Sequence, residues 1–475
     1  MSARRAGFLC VAGALLLGAC APVGPDYQRP SYELPGAYPG TAATPGEPQV
    51  RPDWWTLYGD AKLNELVQAA LARNTDIRLA VARIEEADAN LREANAAFLP
   101  EIDLNGVPTR SRISSTQATP LPAGLAPVRN NVRLTATTSF ELDFWGRLRR
   151  GVEAVRAQAL GTRYAKDVVV LSLAGLTAQA YFSLRSLDAQ IAATRQTLAS
   201  RDEALTYVRN RARGGVASDL DVGQAETARA DSAVTLRDLL RQRELAEHQL
   251  GTLTGKPDFA DPGGTDLLAL PVPPLPPAGL PSALLERRPD IRQAEQALVS
   301  ANAQIGVARA AMLPTISLTG TDGWESKALS SLLQGSSAIW SLGFALTLPI
   351  FDWGRFQART DAAIAREHQA VATYQKSIET GFREVADALT NARQSTEAEA
   401  DYAMRLGAAR RTLRLAKLRY ESGYSAYLEV LDAQRTANDA ELAFVRNRQL
   451  RLSASVDLMK ALGGGWAPGQ AGAYP

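Results

Sequence analysis

The sequence states most of its pattern twice, the second statement beginning roughly 210 residues after the first. Asp76-Ile77-Arg78 and the later run Phe98-Leu99-Pro100-Glu101-Ile102 return as Asp290-Ile291-Arg292 and Met312-Leu313-Pro314-Thr315-Ile316, at an offset of 214. Trp145-Gly146-Arg147 returns as Trp353-Gly354-Arg355, and Gly215, Leu220, Val222 and Ala225 return as Gly423, Leu428, Val430 and Ala433, both at an offset of 208. A repeat this long is a duplicated structural unit and not a short solenoid module. The chain must therefore fold with internal pseudo-symmetry, which argues against a single catalytic centre.

Within each copy, proline marks where helices can run. Pro127 and Pro257 enclose 129 residues without proline, and Pro349 and Pro468 enclose 118. Proline inside a helix costs about 3 kcal/mol, and both stretches are rich in the strong helix formers Ala, Leu, Arg, Gln and Glu. Leu173, Leu176, Ala180, Leu184, Leu187, Ile191, Thr194 and Leu198 step by threes and fours, as do Ile378, Phe382, Val385 and Leu389. That spacing predicts coiled-coil seams. A helix over 146–213 would be roughly 100 Å long. Gly214-Gly215 breaks it, and a return helix is predicted over 220–253. The second copy reads likewise: a helix over 355–420, a break at Gly423, and a return to about Leu462.

Before each long helix the period changes to two. Val132, Leu134, Ala136, Thr138, Phe140 and Leu142 alternate with polar neighbours, and so do Trp340, Leu342, Phe344, Leu346 and Leu348. Weaker partners precede them over 101–113 and 315–324, with surface loops expected over 114–130 and 325–338. Strands of about 10 residues suit a tilted crossing of an outer membrane. Alternation alone fits a soluble sheet with one wet face equally well. The leader described next, and the lack of an apolar run of about 20 residues after Cys20, favour the membrane. Four strands leave two open edges, which lipid does not tolerate. Three chains sharing one barrel would supply twelve strands.

The first nineteen residues read as a lipoprotein signal peptide. Arg4 and Arg5 precede an apolar stretch, and Leu17-Gly18-Ala19-Cys20 reads as a processing box. Cleavage would leave Cys20 to carry lipid, and Ala21, where Asp would signal inner-membrane retention, favours the outer membrane. Cys10 and Cys20 are the only cysteines, so the mature chain has no disulfide and no thiolate metal site. Its 50 basic and 50 acidic residues give no electrostatic case for nucleic acid. Gly251 to Pro257 imitates a phosphate loop but is one residue short and ends in Pro. His248 and His368 are each alone, which suits surface positions better than zinc ligands or a dyad. Trp145 and Trp353 suit the lipid interface level or a packing hinge. No catalytic residue, metal site or cofactor is expected beyond the lipid on Cys20, and an enzyme is not.

These observations divide the chain into a signal peptide (1–19), a lipid anchor and Pro/Gly-rich extended arm (20–62), a first repeat of helix, two strands, long helix and return helix (63–256), a Pro-rich linker (257–281), a second such repeat (282–462) and a tail (463–475). The fold class is an α+β membrane protein, a long helical coiled-coil barrel with four transmembrane strands per chain.

Several runs resemble the TolC family of outer-membrane factors, in its NodT-like lipoprotein branch. They are Cys20-Ala21-Pro22-Val23-Gly24-Pro25-Asp26-Tyr27, Trp54-Trp55 before Leu63-Asn64-Glu65-Leu66-Val67, Asp76-Ile77 to Ala82-Arg83-Ile84, the pair Phe144-Trp145-Gly146-Arg147 and Phe351-Asp352-Trp353-Gly354-Arg355, and Tyr427-Leu428-Glu429-Val430-Leu431-Asp432-Ala433-Gln434-Arg435. The resemblance implies a homotrimeric efflux duct with a twelve-stranded barrel in the outer membrane and a helical barrel across the periplasm. An equatorial belt would come from residues 257–281 and the tail. It also implies a periplasmic adaptor and an inner-membrane transporter, of the RND type, as partners. Leu428, Asp432 and Arg435 match positions that narrow the resting pore: an apolar ring, a carboxylate ring and an interhelix tether. Read alone, Asp432 and Arg435 are also ordinary i, i+3 partners. Gln224 and Gly223 stand where Asp432 and Leu431 stand, so the first copy departs from the pattern and the resemblance implies no second acidic ring at that level, though Asp219 and Asp221 are close. Gly215, Val216, Ala217, Ser218, Gly423, Tyr424 and Ser425 resemble the turns that receive the adaptor, and simple turn chemistry fits them too. The competing reading is a periplasmic coiled-coil lipoprotein that acts as scaffold or adaptor without a pore.

Overall fold

A computed structural model describes residues 22–33, 35–38, 50–114, 116, 118, 126–261, 263–274, 276 and 281–466. The signal peptide, Cys20, Ala21, part of the arm and most of the tail lie outside the described residues. Helix α1 is Ala61–Arg73, α2 Thr75–Ala96, α3 Arg147–Arg213, α4 Asp219–Thr254, α5 Pro289–Ala310, α6 Arg355–Glu421 and α7 Tyr427–Ala461. The strands are β1 Glu101–Arg112, β2 Val128–Leu142, β3 Thr315–Ser326 and β4 Ala338–Thr347. Two compact units cut across the repeats: residues 1–31, 84–161 and 294–374 form one, and 32–83, 162–293 and 375–475 the other.

The first unit holds the sheet, antiparallel in the order β1-β2-β3-β4. Its register sorts side chains cleanly, because successive residues point to opposite faces. Phe140 opposes Leu318, which opposes Phe344, and Leu142, Ile316 and Leu346 form the next row. On the other face Arg133 opposes Glu325 and bonds it at 2.6 Å, with the Asn131 amide donating to the same carboxylate at 2.8 Å. Every residue of β1 is exposed and β4 is almost wholly so. Both are edges with no strand beyond them among the described residues.

The arm seats itself on this unit. Val23 N–H donates to the Trp145 carbonyl at 2.9 Å, Arg29 grips Glu295 through two bonds of 2.6 and 3.0 Å, and Arg150 reaches Asp26 at 2.6 Å. Gly146 (φ +77) leaves no room for a side chain, since a Cβ there would lie 2.6 Å from Pro22. Its repeat partner Gly354 has the same backbone (φ +80) but nothing within 4 Å. Trp145 accordingly packs, its indole donating to the Pro314 carbonyl at 2.7 Å, whereas Trp353 is 89% exposed at φ 56 beside exposed Ile350 and Phe351. One motif makes the same strand-to-helix joint twice, and only the first joint is covered.

The second unit holds the largest core. Trp54, Trp55 and Tyr58, on a single 3₁₀ turn, pack with Tyr181 and Phe182 of α3 and Val456 and Met459 of α7. Contrary to the sequence expectation, α3 does contain an 18-residue window of mean hydropathy 1.4, enough by length and composition to cross a membrane. Half of it is buried, because this stretch carries core residues such as Ala174, Ala178, Tyr181 and Phe182. Leu176, placed on the predicted seam, is 47% exposed, since Leu173, Ala174, Thr177 and Ala178 take the buried positions around it. Gly251 to Pro257 ends α4 rather than starting a helix, so it presents carbonyls where a phosphate would need N–H groups. Both histidines are exposed.

Gly463, Gly464 and Gly465, all at positive φ, turn the chain off α7. A Cβ on Gly463 would lie 2.6 Å from the Arg287 carbonyl oxygen. Trp466 then donates its indole N–H to Asp167 at 2.9 Å and meets Tyr164 edge-on. Burial raises the Asp167 pKa, and the Trp466 bond opposes this only in part. Gly463→Ala should therefore cost about 1–3 kcal/mol from the left-handed backbone alone, read as a lower midpoint for thermal loss of helix by circular dichroism. Because folding raises the Asp167 pKa, its charged form weakens the fold at neutral pH and protonation relieves that on acidification. Asp167→Asn should raise the midpoint at pH 7, with the gain gone below the ordinary value of 3.8.

Candidate pore gate at the helical hairpin ends

Two hairpins, α3–α4 and α6–α7, end in turns of one design, both within the second unit. At the first, Gly215 N–H bonds the Ala212 carbonyl and Val216 N–H the Arg211 carbonyl, each at 2.9 Å. At the second, Gly423 N–H bonds Tyr420 at 3.0 Å and Tyr424 N–H bonds Arg419 at 2.8 Å. These paired bonds satisfy the last carbonyls of each long helix, with Gly215 (φ +72) and Gly423 (φ +81) supplying the left-handed residue. Val216 and Tyr424 are thrust into solvent, 65% and 80% exposed, while Ala217 and Ser425 are half-buried.

The return helices start differently. Ser218 caps α4 and Asp221 reciprocates, a complete capping box. Ala426 caps α7 with no side-chain bond. Asp221 is thus occupied by the cap, while Asp219 lines the space between the hairpins.

That space is a groove of about 990 Å³. Leu428, Asp432 and Arg435 all line it, so the three positions singled out in the sequence do meet at one place. Their repeat equivalents Leu220, Gln224 and Thr227 line it too. The spacing of four and then three puts each trio on one helix stripe. Arg435 donates to Asp432 at 2.9 Å within α7, both being largely exposed, so in this state it is an intrahelical partner and not the expected tether between helices. Two carboxylates in the same groove went unnoticed in the sequence, Asp231 and Asp439. They are 208 apart, so the repeat offset itself was the signal that could have found them. Arg201 of α3 also lines the groove and donates to the Ala228 carbonyl; burial lowers its pKa, against the pull of Asp231, Tyr427 and Asp439.

Below the groove the hairpins are joined by aromatic contacts. Tyr420 meets Tyr207 edge-on at 6.1 Å and Tyr427 at 5.2 Å, and the Arg211 guanidinium lies over both Tyr207 and Tyr420. Lys417 of α6 bonds Ser200 of α3 at 3.0 Å, and Thr197 of α3 bonds Asn438 of α7 at 3.1 Å. Among the described residues no group of His, Cys, Asp and Glu could hold a metal ion.

The profile of the family described as "Outer membrane efflux protein" matches residues 66–256 and again 280–464. The chain belongs to that family. It is 38% identical over 469 residues to the outer membrane protein OprJ of Pseudomonas aeruginosa, covering 96% of this chain and 95% of that one. It is 34% identical to the cation efflux system protein CusC of Escherichia coli, covering 96% and 98%. Among solved structures, the CmeC outer membrane channel of Campylobacter jejuni superposes with a TM-score of 0.87 at 25% identity, covering 94% of this chain and 96% of that one. The protein is a TolC-type outer-membrane factor, an efflux channel located in the outer membrane. It serves an efflux system as the outer-membrane component, and its relatives are channels and not enzymes.

The unequal caps give a local test. Amides in the first turn of α7 should exchange with deuterium faster than those of α4, and Ser218→Ala should remove the difference at a cost of about 1 kcal/mol. Equal exchange at the two turns in the unaltered protein would contradict the capping account.

Proposed function

We propose that three copies of this chain close a twelve-stranded barrel and that the duct is gated at the hairpin ends. The observation that carries this is the pair of unpaired edges, β1 and β4, on a sheet with one apolar face. β4 of one copy runs antiparallel to β1 of the next if the order simply continues, so closure needs no rearrangement. The uncovered joint at Ile350, Phe351 and Trp353 follows β4 directly and is apolar surface that a neighbouring copy would bury. The number three is what the family resemblance carries.

In this reading Leu428 and Asp432 narrow the lumen, and Gly215, Val216, Ala217, Ser218, Gly423, Tyr424 and Ser425 present the turns to a periplasmic adaptor. An inner-membrane transporter of the RND type delivers the cargo, which is drugs or other small toxic compounds. Cys20 carries lipid. Pro22, two residues after Cys20 in the sequence, is seated against Gly146, between the end of β2 and the start of α3.

Asp432→Ala removes a carboxylate from the narrowest level, so single-channel conductance in a planar bilayer should rise and cation preference should fall. Unchanged currents would remove Asp432 from the gate. The mature protein should carry acyl mass beginning at Cys20, absent in Cys20→Ser; an unmodified mature mass would refute the anchor.

A further inference from the structure

We infer that Arg110 and Arg112, with Asn130, form a site for a phosphate group of the glycolipid that fills the outer leaflet of the outer membrane. The inference rests on the barrel reading above and gives the outer rim of that barrel a ligand. Charge is the first observation. From Leu104 to Phe140 the chain carries four arginines and no Asp or Glu, although the whole chain has 52 basic and 50 acidic residues. Arg133 is answered by Glu325 on the next strand. Arg110 and Arg112 are exposed and have no hydrogen-bond or ion-pair partner among the described residues.

The register fixes their face. Arg110 opposes Asn130 and Arg112 opposes Val128, while Ile102 and Leu104 oppose Thr138 and Ala136. Residues two apart share a face, so both arginines stand on the apolar face with Leu104, Leu134 and Phe140, and not on the face of Arg133. The duplication fixes their level. At the strand offset of 214, Arg110 corresponds to Trp324 and Arg112 to Ser326. An exposed Trp near the end of an apolar strand face belongs where hydrocarbon meets headgroups. β1 follows α2 and β2 runs into α3, so this end of the hairpin lies away from the helices and is the outer end of the barrel.

Two guanidinium groups two residues apart on one strand face, about 7 Å, repel each other. The second repeat keeps the same strand without them, so the fold does not require the pair. A phosphate monoester between them supplies the compensating charge, and a guanidinium can hold two of its oxygens at once. The Asn130 amide, directly across from Arg110 and exposed, can donate to the same group. Exposed Leu104 on the same face offers acyl chains an apolar contact that a soluble anion cannot use.

The test is native mass spectrometry of the purified full-length protein in mild detergent, titrated with bisphosphorylated lipid A and with its dephosphorylated form. The unaltered protein should retain the bisphosphorylated lipid in preference. Arg110→Gln with Arg112→Gln should weaken that binding about tenfold or more, the loss of at least one charge-assisted bond. Arg110→Trp with Arg112→Ser copies the other repeat, keeps an interfacial side chain in place and should lose the preference equally, which separates binding from folding. Arg129→Gln, on the opposite face beside Ser111, should leave the binding unchanged. Equal retention of both lipids by the unaltered protein, an unchanged affinity in either double variant, or displacement of the lipid by equimolar inorganic phosphate would overturn the inference. An unaltered protein that is monomeric would instead refute the barrel reading on which it rests.

Discussion

The structure depends on one requirement: backbone N–H and C=O groups in lipid must be bonded to something. An unsatisfied group there costs several kcal/mol. Among the described residues β1 offers a free edge of 12 residues and β4 one of 10. No rearrangement within four strands can close them, because a closed barrel of four strands has no room for its own side chains. The sheet is therefore a fragment of a larger surface, which in the reading proposed above is completed by copies of the same chain. The two long helices of 67 residues begin directly after the Trp-Gly-Arg joints that follow β2 and β4.

Duplication is kept where backbone geometry demands it and relaxed where neighbours differ. Gly146 and Gly354 turn a strand into a helix, and Gly215 and Gly423 stop a long helix, with matching φ in each pair. Side chains diverge around these fixed points. The first joint lies beneath the chain's own arm and the second is bare; Ser218 caps one return helix and Ala426 leaves the other uncapped. Gln224 and Asp432, equivalent positions of the two repeats, line one groove with unlike side chains, whereas seven residues on both repeats place an Asp in it, Asp231 and Asp439.

The large elements were legible because each depends on a strong local signal. Proline-free stretches and three-four spacing located the long helices α3 and α6 and the return helix α4 to within a residue or two and the end of α7 likewise, and alternation located β4 and all but the first four residues of β2. The meeting of Leu428, Asp432 and Arg435 in one groove was legible from motif and stripe together. Other features depend on contacts between distant segments and carry no local signal. The glycine turn at 463–465 is meaningful only against Arg287 and the segment at Arg51, and the apolar window of α3 is explained only by the Trp54–Tyr58 turn that covers part of it. Arg435 as a partner of Asp432 illustrates the remaining ambiguity, since an i, i+3 bond and a tether between helices draw on the same two residue types. Asp231 and Asp439 were readable at the offset of 208 but are invisible to a search confined to one motif.

The most direct test of the central claim is the native mass of the complex extracted from the outer membrane in mild detergent. An incomplete sheet closed by its own copies predicts a particle of three identical chains, with no stable monomer that keeps its strands. A folded monomer with intact sheet content, or a particle of two chains, would contradict it.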